Sequence, residues 1–463
     1  MPSALAMPDE LTALSPLDGR YANQAESLRD FFSEFALIRG RVAVEVAYLL
    51  ALSRDAGLTR PITSTEADRL GALVQAFSLS DAQESKELER ITRHDVKAVE
   101  NFLRARLADT SMADLVEYLH FGLTSEDINN IAQAMALRDS REKVVLPAVD
   151  GILRQLEEMS RVHKSTPMLA RTHGQPAVPT TFGKEMAVFF TRLRKLRKAL
   201  ARHRFEAKLN GAVGNFNALT TAASQVDWPA FSERFIRSLN LEPAQVTTQI
   251  LPYDNWIQYF QVLMQINSVL LGLAQDCWQY ASQGYLRLRP NASEVGSSTM
   301  PQKVNPIDFE NAEGNFGVAN TLLEFFARKL PVSRLQRDLS DSTVRRMFGT
   351  AIGHSLVGCN SIARGLSLVE VDAAAMKDDL EDHWEVVAEG AQTILRAAGV
   401  NNPYDLLKGL TRGRSLTQAS YNEWVNDLKV DEAVKAKLRW LSPLDYTGLA
   451  AQITEAALKD RSR

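Results

Sequence analysis

Apolar side chains recur along this chain at intervals of three and four residues over long stretches. Phe35, Ile38, Val42, Val46, Leu49 and Leu50 form one such series, and the spacing gathers them on a single stripe of an α-helix. Strand-like alternation is scarce. The segments Lys184 to Lys208 and Trp256 to Tyr285 run for many turns without a proline, further than a typical globular helix extends, and helices of that length predict a bundle. Prolines punctuate the remainder, at Pro167, Pro176, Pro179, Pro243, Pro252, Pro290, Pro301, Pro306 and Pro331, where a missing N–H and a fixed φ should stop or start a helix. The pattern predicts an all-α fold.

Helix pattern and loop composition suggest three units. These are an N-terminal helical domain over 1–113, a central long-helix bundle over 114–366, and a C-terminal domain of short helices over 367–463 with breaks at Pro403, Gly409 and Gly413. No repeat, low-complexity tract or charge block marks the junctions. The central helices are apolar around much of their circumference, more than burial within one chain requires, so they are expected to join an intersubunit bundle of a homo-oligomer.

Composition narrows the function classes. At 463 residues, 45% hydrophobic and 24% charged, the chain can bury a sizeable core and reads as an ordinary soluble globular protein. Its 53 Lys and Arg against 56 Asp and Glu leave no basic excess to draw it to nucleic acid or an anionic membrane, so any anion site must be local. Cys277 and Cys359 stand outside any CxxC or Cys/His cluster, which argues against a disulfide framework or structural zinc and suits a reducing compartment. No HExxH, paired-His or acidic cluster suggests a catalytic metal, and no cofactor is signalled. Residues Met1 to Glu10 lack the basic start and apolar run of a secretory signal, and no stretch approaches the ~18 uninterrupted apolar residues of a membrane span. The expected location is the cytoplasm.

The most unusual connector spans residues 293–315, where Gly296 precedes Ser297 and Ser298, and Pro301 and Pro306 bracket Lys303 and Asn305. A Gly-Ser-Ser run can present consecutive N–H groups and hydroxyls to an anion, and one lysine adds a compact positive charge; together they would cradle a carboxylate. A loop that merely caps the next helix has the same composition, and composition does not choose between the two. The run Gly211-Ala-Val-Gly214 lacks the Lys-Ser/Thr of a P-loop and follows no strand, so it reads as a turn or a close helix approach, with Asn215 candidate to face a site.

The stretch Gly-Ser-Ser-Thr-Met-Pro-Gln-Lys-Val-Asn-Pro at 296–306 resembles the signature loop of the fumarase/aspartase superfamily, all-helical enzymes that release fumarate by breaking a C–N or C–O bond. Six further stretches, in order, resemble the adenylosuccinate lyase family in its bacterial purine-pathway form: Ser15 to Tyr21, Thr92 to Lys97, Leu123 to Asn130, Arg171 to Pro176, Thr247 to Gln249 and Arg337 to Arg346. The resemblance covers nearly the whole chain. It implies a three-domain fold whose central bundle assembles into a homotetramer with active sites shared among chains. It further implies β-elimination of fumarate from adenylosuccinate and from succinylaminoimidazole carboxamide ribotide in purine biosynthesis. The partners would be succinylated purine nucleotides and fumarate, with no cofactor, nucleic acid or membrane.

The same resemblance implies roles for particular residues. Ser297 would be the base that removes the Cβ proton, which is weakly acidic because its loss piles charge onto an existing carboxylate; a serine can do this only where N–H groups and Lys303 stabilise its alkoxide or pass its proton on. Lys303 and Asn305 would hold that carboxylate. His173 would be the acid for the departing amine, a task suited to imidazole near neutral pH. Arg20 with Tyr21, Arg93, Arg337, Ser342 and Arg346 are the phosphate candidates, since the planar guanidinium fork matches a phosphate. His94 is expected to bind phosphate or support the acid, with Asp95 orienting it. Thr124 and Ser125 look like the hydroxyl pair for the succinyl carboxylate and Gln249 like its amide contact. Asn311, beside Glu310 near a helix start, is a further contact. His120, His163, His203, His354 and His383 read as structural.

One residue pulls elsewhere. At Gln302 adenylosuccinate lyases often carry histidine, whereas argininosuccinate lyases often show glutamine in a similar loop. The Gly-Arg-Ser-Arg-Asn-Asp run of argininosuccinate lyases is missing here, and fumarases and aspartases lack the Ser15 to Tyr21 pattern. The alternatives are argininosuccinate lyase or another fumarate-releasing member, and a non-catalytic structural protein on the same scaffold, against which Ser297, His173 and Lys303 argue.

Overall fold

A computed structural model of the chain describes residues 10–289, 300, 304–411 and 416–459. Ser297, Lys303, Gln302 and most of the 293–306 loop, together with the predicted break at Gly413, lie outside the described residues. In chain order the elements that matter here are α1 (Glu34–Ala51), α2 (Leu79–Thr92), α3 (Asp95–Ala108), α4 (Ser125–Ser140), α5 (Leu146–Val162), β1 (Pro167–Thr172), β2 (Gln175–Thr181), α6 (Phe182–Arg202) and α7 (Asp254–Ser282). They continue as β3 (Leu286–Leu288), α8 (Ile307–Lys329), α9 (Ser340–Arg345), α10 (Phe348–Leu368), β4 (Val369–Val371) and α11 (Ala373–Glu381).

Helices dominate, as the periodicity predicts; among the described residues the strands make three two-stranded pieces. Two expectations need correcting. The helix predicted over Lys184 to Lys208 stops at Arg202, because residues 203–210 leave helical geometry for buried polar contacts. Pro167, Pro176, Pro179 and Pro243 do not border helices: the first three lie in the antiparallel β1–β2 pair, and Pro243 pairs with Ala207 in a short parallel piece. A hairpin has only edge strands, and there a residue without an N–H is tolerated.

Contacts divide the chain into two compact units, one of residues 1–148, 197–267 and 314–358, the other of residues 149–196, 268–313 and 359–463. In the first, α1 carries the predicted stripe. Ile38, Val42, Val46 and Leu49 are buried against Val99, Phe102, Leu103 and Leu107 of α3, with Phe35 and Leu50 packed at the margin. Each such side chain contributes about 1.5–3 kcal/mol of burial. Ser33 starts the helix by accepting the Ala36 N–H at 3.1 Å, which satisfies one of the orphan donors of its first turn. Another side of α1 approaches α4 closely, a Cβ on Gly40 standing 3.3 Å from the Ala132 Cβ. The second unit has its own core, in which Leu169 of β1 meets Leu380, Trp384, Val387, Leu395 and Tyr421. Helix α7 is long and apolar enough to cross a membrane by length and composition, and 56% of its most apolar window is buried within the protein.

Candidate active site

In the first unit the N-termini of α3 and α4 bring the second predicted histidine to a predicted hydroxyl. His94 caps α3, its Nδ1 accepting the Lys97 N–H at 3.0 Å. A nitrogen that accepts carries no proton, so the neutral ring holds its proton on Nε2, and Nε2 lies 3.3 Å from the Ser125 Oγ. His94 is thereby set as a donor. Asp95, expected to orient this ring, has its Oδ1 3.9 Å from His94 Nδ1, and its carboxylate takes the Arg41 guanidinium at 2.5 Å and the Val96 N–H at 2.9 Å. Arg346 stands 3.7 Å from the same carboxylate. Burial works to raise the Asp95 pKa, but the Arg41 charge, the Val96 N–H, the Arg41 hydrogen bond and Arg346 together hold it below the usual carboxylate value. Arg41 also donates to Asn129 at 2.8 Å, so one buried arginine of α1 ties α3 to α4.

Behind Thr124 and Ser125 lies a buried clasp. The Asp127 carboxylate accepts the N–H groups of Thr124 at 3.0 Å, Asn210 at 3.0 Å and Gly211 at 3.1 Å. It also meets the Lys208 ammonium at 2.9 Å, both side chains being fully buried. Two charges so far from water persist only when their remaining hydrogen-bonding capacity is met, and here several donors converge. The clasp fixes the start of α4 to the 208–214 turn. Gly214 has φ +86°, and a Cβ there would fall 2.3 Å from the Thr247 carbonyl oxygen, so only glycine lets the 247–249 segment lie against that turn. Gln249 then donates to the Ala212 carbonyl at 3.0 Å and accepts from Arg337 Nη1 at 3.1 Å. Thr124, Ser125, Gln249 and Arg337 are thus linked within one unit, as are His94, Asp95 and Arg346.

Other predicted residues of this unit are placed more loosely. Ser342 is half-buried, its N–H donating to Asp341 at 2.8 Å. Tyr21 packs on Leu17, Ala25 and Val357, next to an exposed Arg20. Arg93 ends α2 with φ +53° and is exposed.

His120, read as structural, holds the turn ahead of Thr124. Its Nδ1 lies 2.6 Å from the fully buried Glu45 carboxylate, and its N–H donates to the same group at 3.1 Å. Burial works to lower the imidazole pKa, but the hydrogen bond and charge of Glu45, with Glu100 and Asp127 beyond, raise it above the ordinary 6.5. A raised folded-state pKa gives stability that is complete below the unfolded value and is lost as pH rises through the folded one. Thermal unfolding of wild type should therefore show Tm falling as pH climbs above 6.5, and His120→Gln should flatten that fall; parallel profiles for the two proteins would refute the assignment.

In the second unit, Thr172 pairs with Gln175 across β1 and β2, leaving His173 and Gly174 as a two-residue turn with φ +54° and +74°. A hairpin of right-twisted strands wants left-handed residues at both positions, and histidine tolerates that region better than most side chains. The turn presents an exposed His173 with no hydrogen-bond partner among the described residues. Arg171, at the strand's end, is pinned by Asp379 at 2.8 Å, which also accepts the Tyr285 hydroxyl. Asn305 is half-buried just before α8. Asn311 lies within the second turn of α8 and donates to Ser361 at 2.8 Å, while Glu310 accepts from Trp278 at 3.0 Å.

Several supporting residues were not singled out by sequence. Asp127 had a signal: an acidic side chain three residues after Thr124 is a capping pattern. Glu126, Asn129 and Asn130 lie in the same quoted stretch without an assigned role. Arg345 lies in the quoted stretch Arg337 to Arg346 without an assigned role, and Arg41, Lys208 and Tyr253 carry no local signal, since a buried polar residue reads like a surface one until its partners are known. Among the described residues no group of three or more His, Cys, Asp or Glu is arranged to hold a metal ion.

Residues 19–319 match the Lyase family and residues 333–447 the adenylosuccinate lyase C-terminal family. Among solved structures, a fumarate lyase from Mesorhizobium sp. BNC1 superposes with TM-score 0.76 at 20% identity over 94% of this chain and 98% of that one. The 3-carboxy-cis,cis-muconate lactonizing enzyme of Pseudomonas putida gives 0.75 at 21%, over 94% and 96%. Fold and family match together define a helical lyase of the fumarase-like fold. The adenylosuccinate lyase of Haemophilus influenzae is 43% identical over 96% of this chain and 98% of its own length, that of Escherichia coli K12 42% over 96% and 98%, and that of Dictyostelium discoideum 43% over 95% and 97%. The chain belongs to the adenylosuccinate lyase family, and with it to the carbon–nitrogen lyases.

Proposed function

We propose that the protein eliminates fumarate from adenylosuccinate to give AMP, and from succinylaminoimidazole carboxamide ribotide to give the free carboxamide ribotide. It would act in the cytoplasm, as a three-domain homotetramer whose active sites draw on more than one chain, with domains 1–113, 114–366 and 367–463. The observation that carries the reaction is identity of 43% to an adenylosuccinate lyase across 96% of the chain.

Ser297 removes the Cβ proton, and the growing carboxylate charge is held by Lys303 and Asn305; a preorganised cation and N–H groups are the usual means of stabilising such charge. His173 delivers a proton to the departing purine amine. The phosphate falls to Arg20, Tyr21, Arg93, Ser342 and Arg346, with Arg337 shared between phosphate and succinyl groups. His94, fixed as an Nε2–H donor, is suited to bind an anion rather than to take a proton. Thr124, Ser125 and Gln249 receive the succinyl carboxylate, and Asn311 supports α8 through Ser361. Incubation with adenylosuccinate should release fumarate stoichiometrically with the ultraviolet change of conversion to AMP. No turnover at any protein concentration would refute the reading, and turnover of argininosuccinate instead would select the alternative that Gln302 favours.

A further inference from the structure

Beneath Arg337 lies a charged cluster with no role in the reaction as described. Glu126 is fully buried and receives Arg345 through two bonds, Nη1 to Oε1 at 2.7 Å and Nη2 to Oε2 at 2.9 Å. Arg345 also pairs with Asp341 at 3.1 Å and donates to Gln133 at 2.7 Å. The buried Tyr253 hydroxyl donates to Asp341 at 2.9 Å. Two carboxylates and one guanidinium leave this cluster one negative charge in excess. The cation that answers it is Arg337, whose Nη2 lies 3.5 Å from Glu126 Oε2 and whose Nη1 donates to Gln249 at 3.1 Å. Buried charge of that kind demands a counter-ion, and among the described residues Arg337 supplies it with its fork turned toward Glu126.

We propose that Glu126, Asp341 and Arg345 are positioning residues: a buried anionic anchor that holds Arg337, and through it the Gln249 amide, in the orientation that receives the substrate's anionic groups. This rests on the elimination reading above. Arg337 keeps a buried Nε–H with no partner among the described residues, and its side chain is 19% exposed, so it can face a ligand while anchored from behind. An unanchored arginine would have to lose rotamer freedom on binding, and preorganisation removes that cost. A competing effect exists, because the Glu126 charge also subtracts from the pull of Arg337 on an anion. Arg345, bound to Glu126 through two bonds, screens part of that charge, so the loss of orientation is expected to outweigh this subtraction.

The test is Glu126→Gln, which keeps shape and leaves Arg345 with Asp341 and Gln133. Because Arg337 holds the substrate in ground and transition states alike, KM for adenylosuccinate should rise about tenfold with kcat within about twofold, the split that lost uniform binding produces. In an Arg337→Met background the same change should add less than about twofold. A lower Tm with unchanged KM would mean a merely structural cluster, and a lower KM would mean that charge relief dominates; either overturns the proposal. Tyr253→Phe, a milder change should the first variant fold poorly, should raise KM about twofold, and an unchanged KM would count equally against it. In a crystal structure of Glu126→Gln, Arg337 should leave Gln249; an intact bond overturns the anchor. That readout needs no turnover, so absence of wild-type activity would refute the elimination reading without deciding the anchor.

Discussion

His173→Ala is expected to lower kcat on adenylosuccinate by about 10²- to 10⁴-fold, the range that a positioned general acid contributes. The purine amine is a poor leaving group, and without a proton donor it must depart carrying its charge. The loss should be catalytic rather than structural: His173 is exposed at the tip of the β1–β2 hairpin and makes no hydrogen bond among the described residues, so Tm should stay within a degree or so of wild type. His173→Asn is the stricter control, because asparagine accepts the left-handed backbone of the turn, φ +54°, yet cannot serve as the acid. It should match the alanine variant. Steady-state kinetics with both substrates, and a substrate bearing a more acidic leaving amine, would check the role; the deficit should narrow for the better leaving group. Near-normal kcat in either variant would remove His173 from the acid role.

If Ser297 is the base, Ser297→Ala should cost at least about 100-fold in kcat while leaving substrate binding in place, because a hydroxyl that removes the Cβ proton acts in the transition state and not on the ground state. This differs in kind from the Glu126→Gln prediction, where KM moves and kcat does not. Single-turnover measurement separates the two: the Ser297 variant should bind adenylosuccinate with near wild-type affinity and fail at the chemical step. It should also fail to exchange the Cβ proton of substrate with solvent. Turnover close to wild type would reassign the base to another group.

The residues of the resemblance are short local strings, and strings of that kind were readable without a fold. Thr92 to Lys97 and Leu123 to Asn130 hold His94 and Ser125, which the fold then sets 3.3 Å apart. What the strings hid was the division of labour inside them. Arg345 and Arg346 are neighbours in one motif, yet Arg345 is buried against Glu126 while Arg346 has a side chain 43% exposed. Asp95 stands beside His94 in its motif, 3.9 Å from the ring nitrogen, and the fold also makes it the counter-ion of Arg41, a residue on another helix with no motif around it. The hairpin that carries His173 was concealed by prolines that usually signal helix ends.

Periodicity and composition are properties of neighbouring residues, so the helical class, the stripe from Phe35 to Leu50 and the order of the chemical groups were already determined before any fold was known. Burial of charge is different, because it depends on partners distant in the chain. Arg345 meets Glu126 across 219 residues, Lys208 meets Asp127 across a separate loop, and Arg41 reaches Asp95 from another helix. Only the tertiary structure decided which of many similar arginines and carboxylates would leave water. The reason is energetic: an ion is stable in the interior only where the fold delivers its counter-charge and hydrogen bonds to the same point.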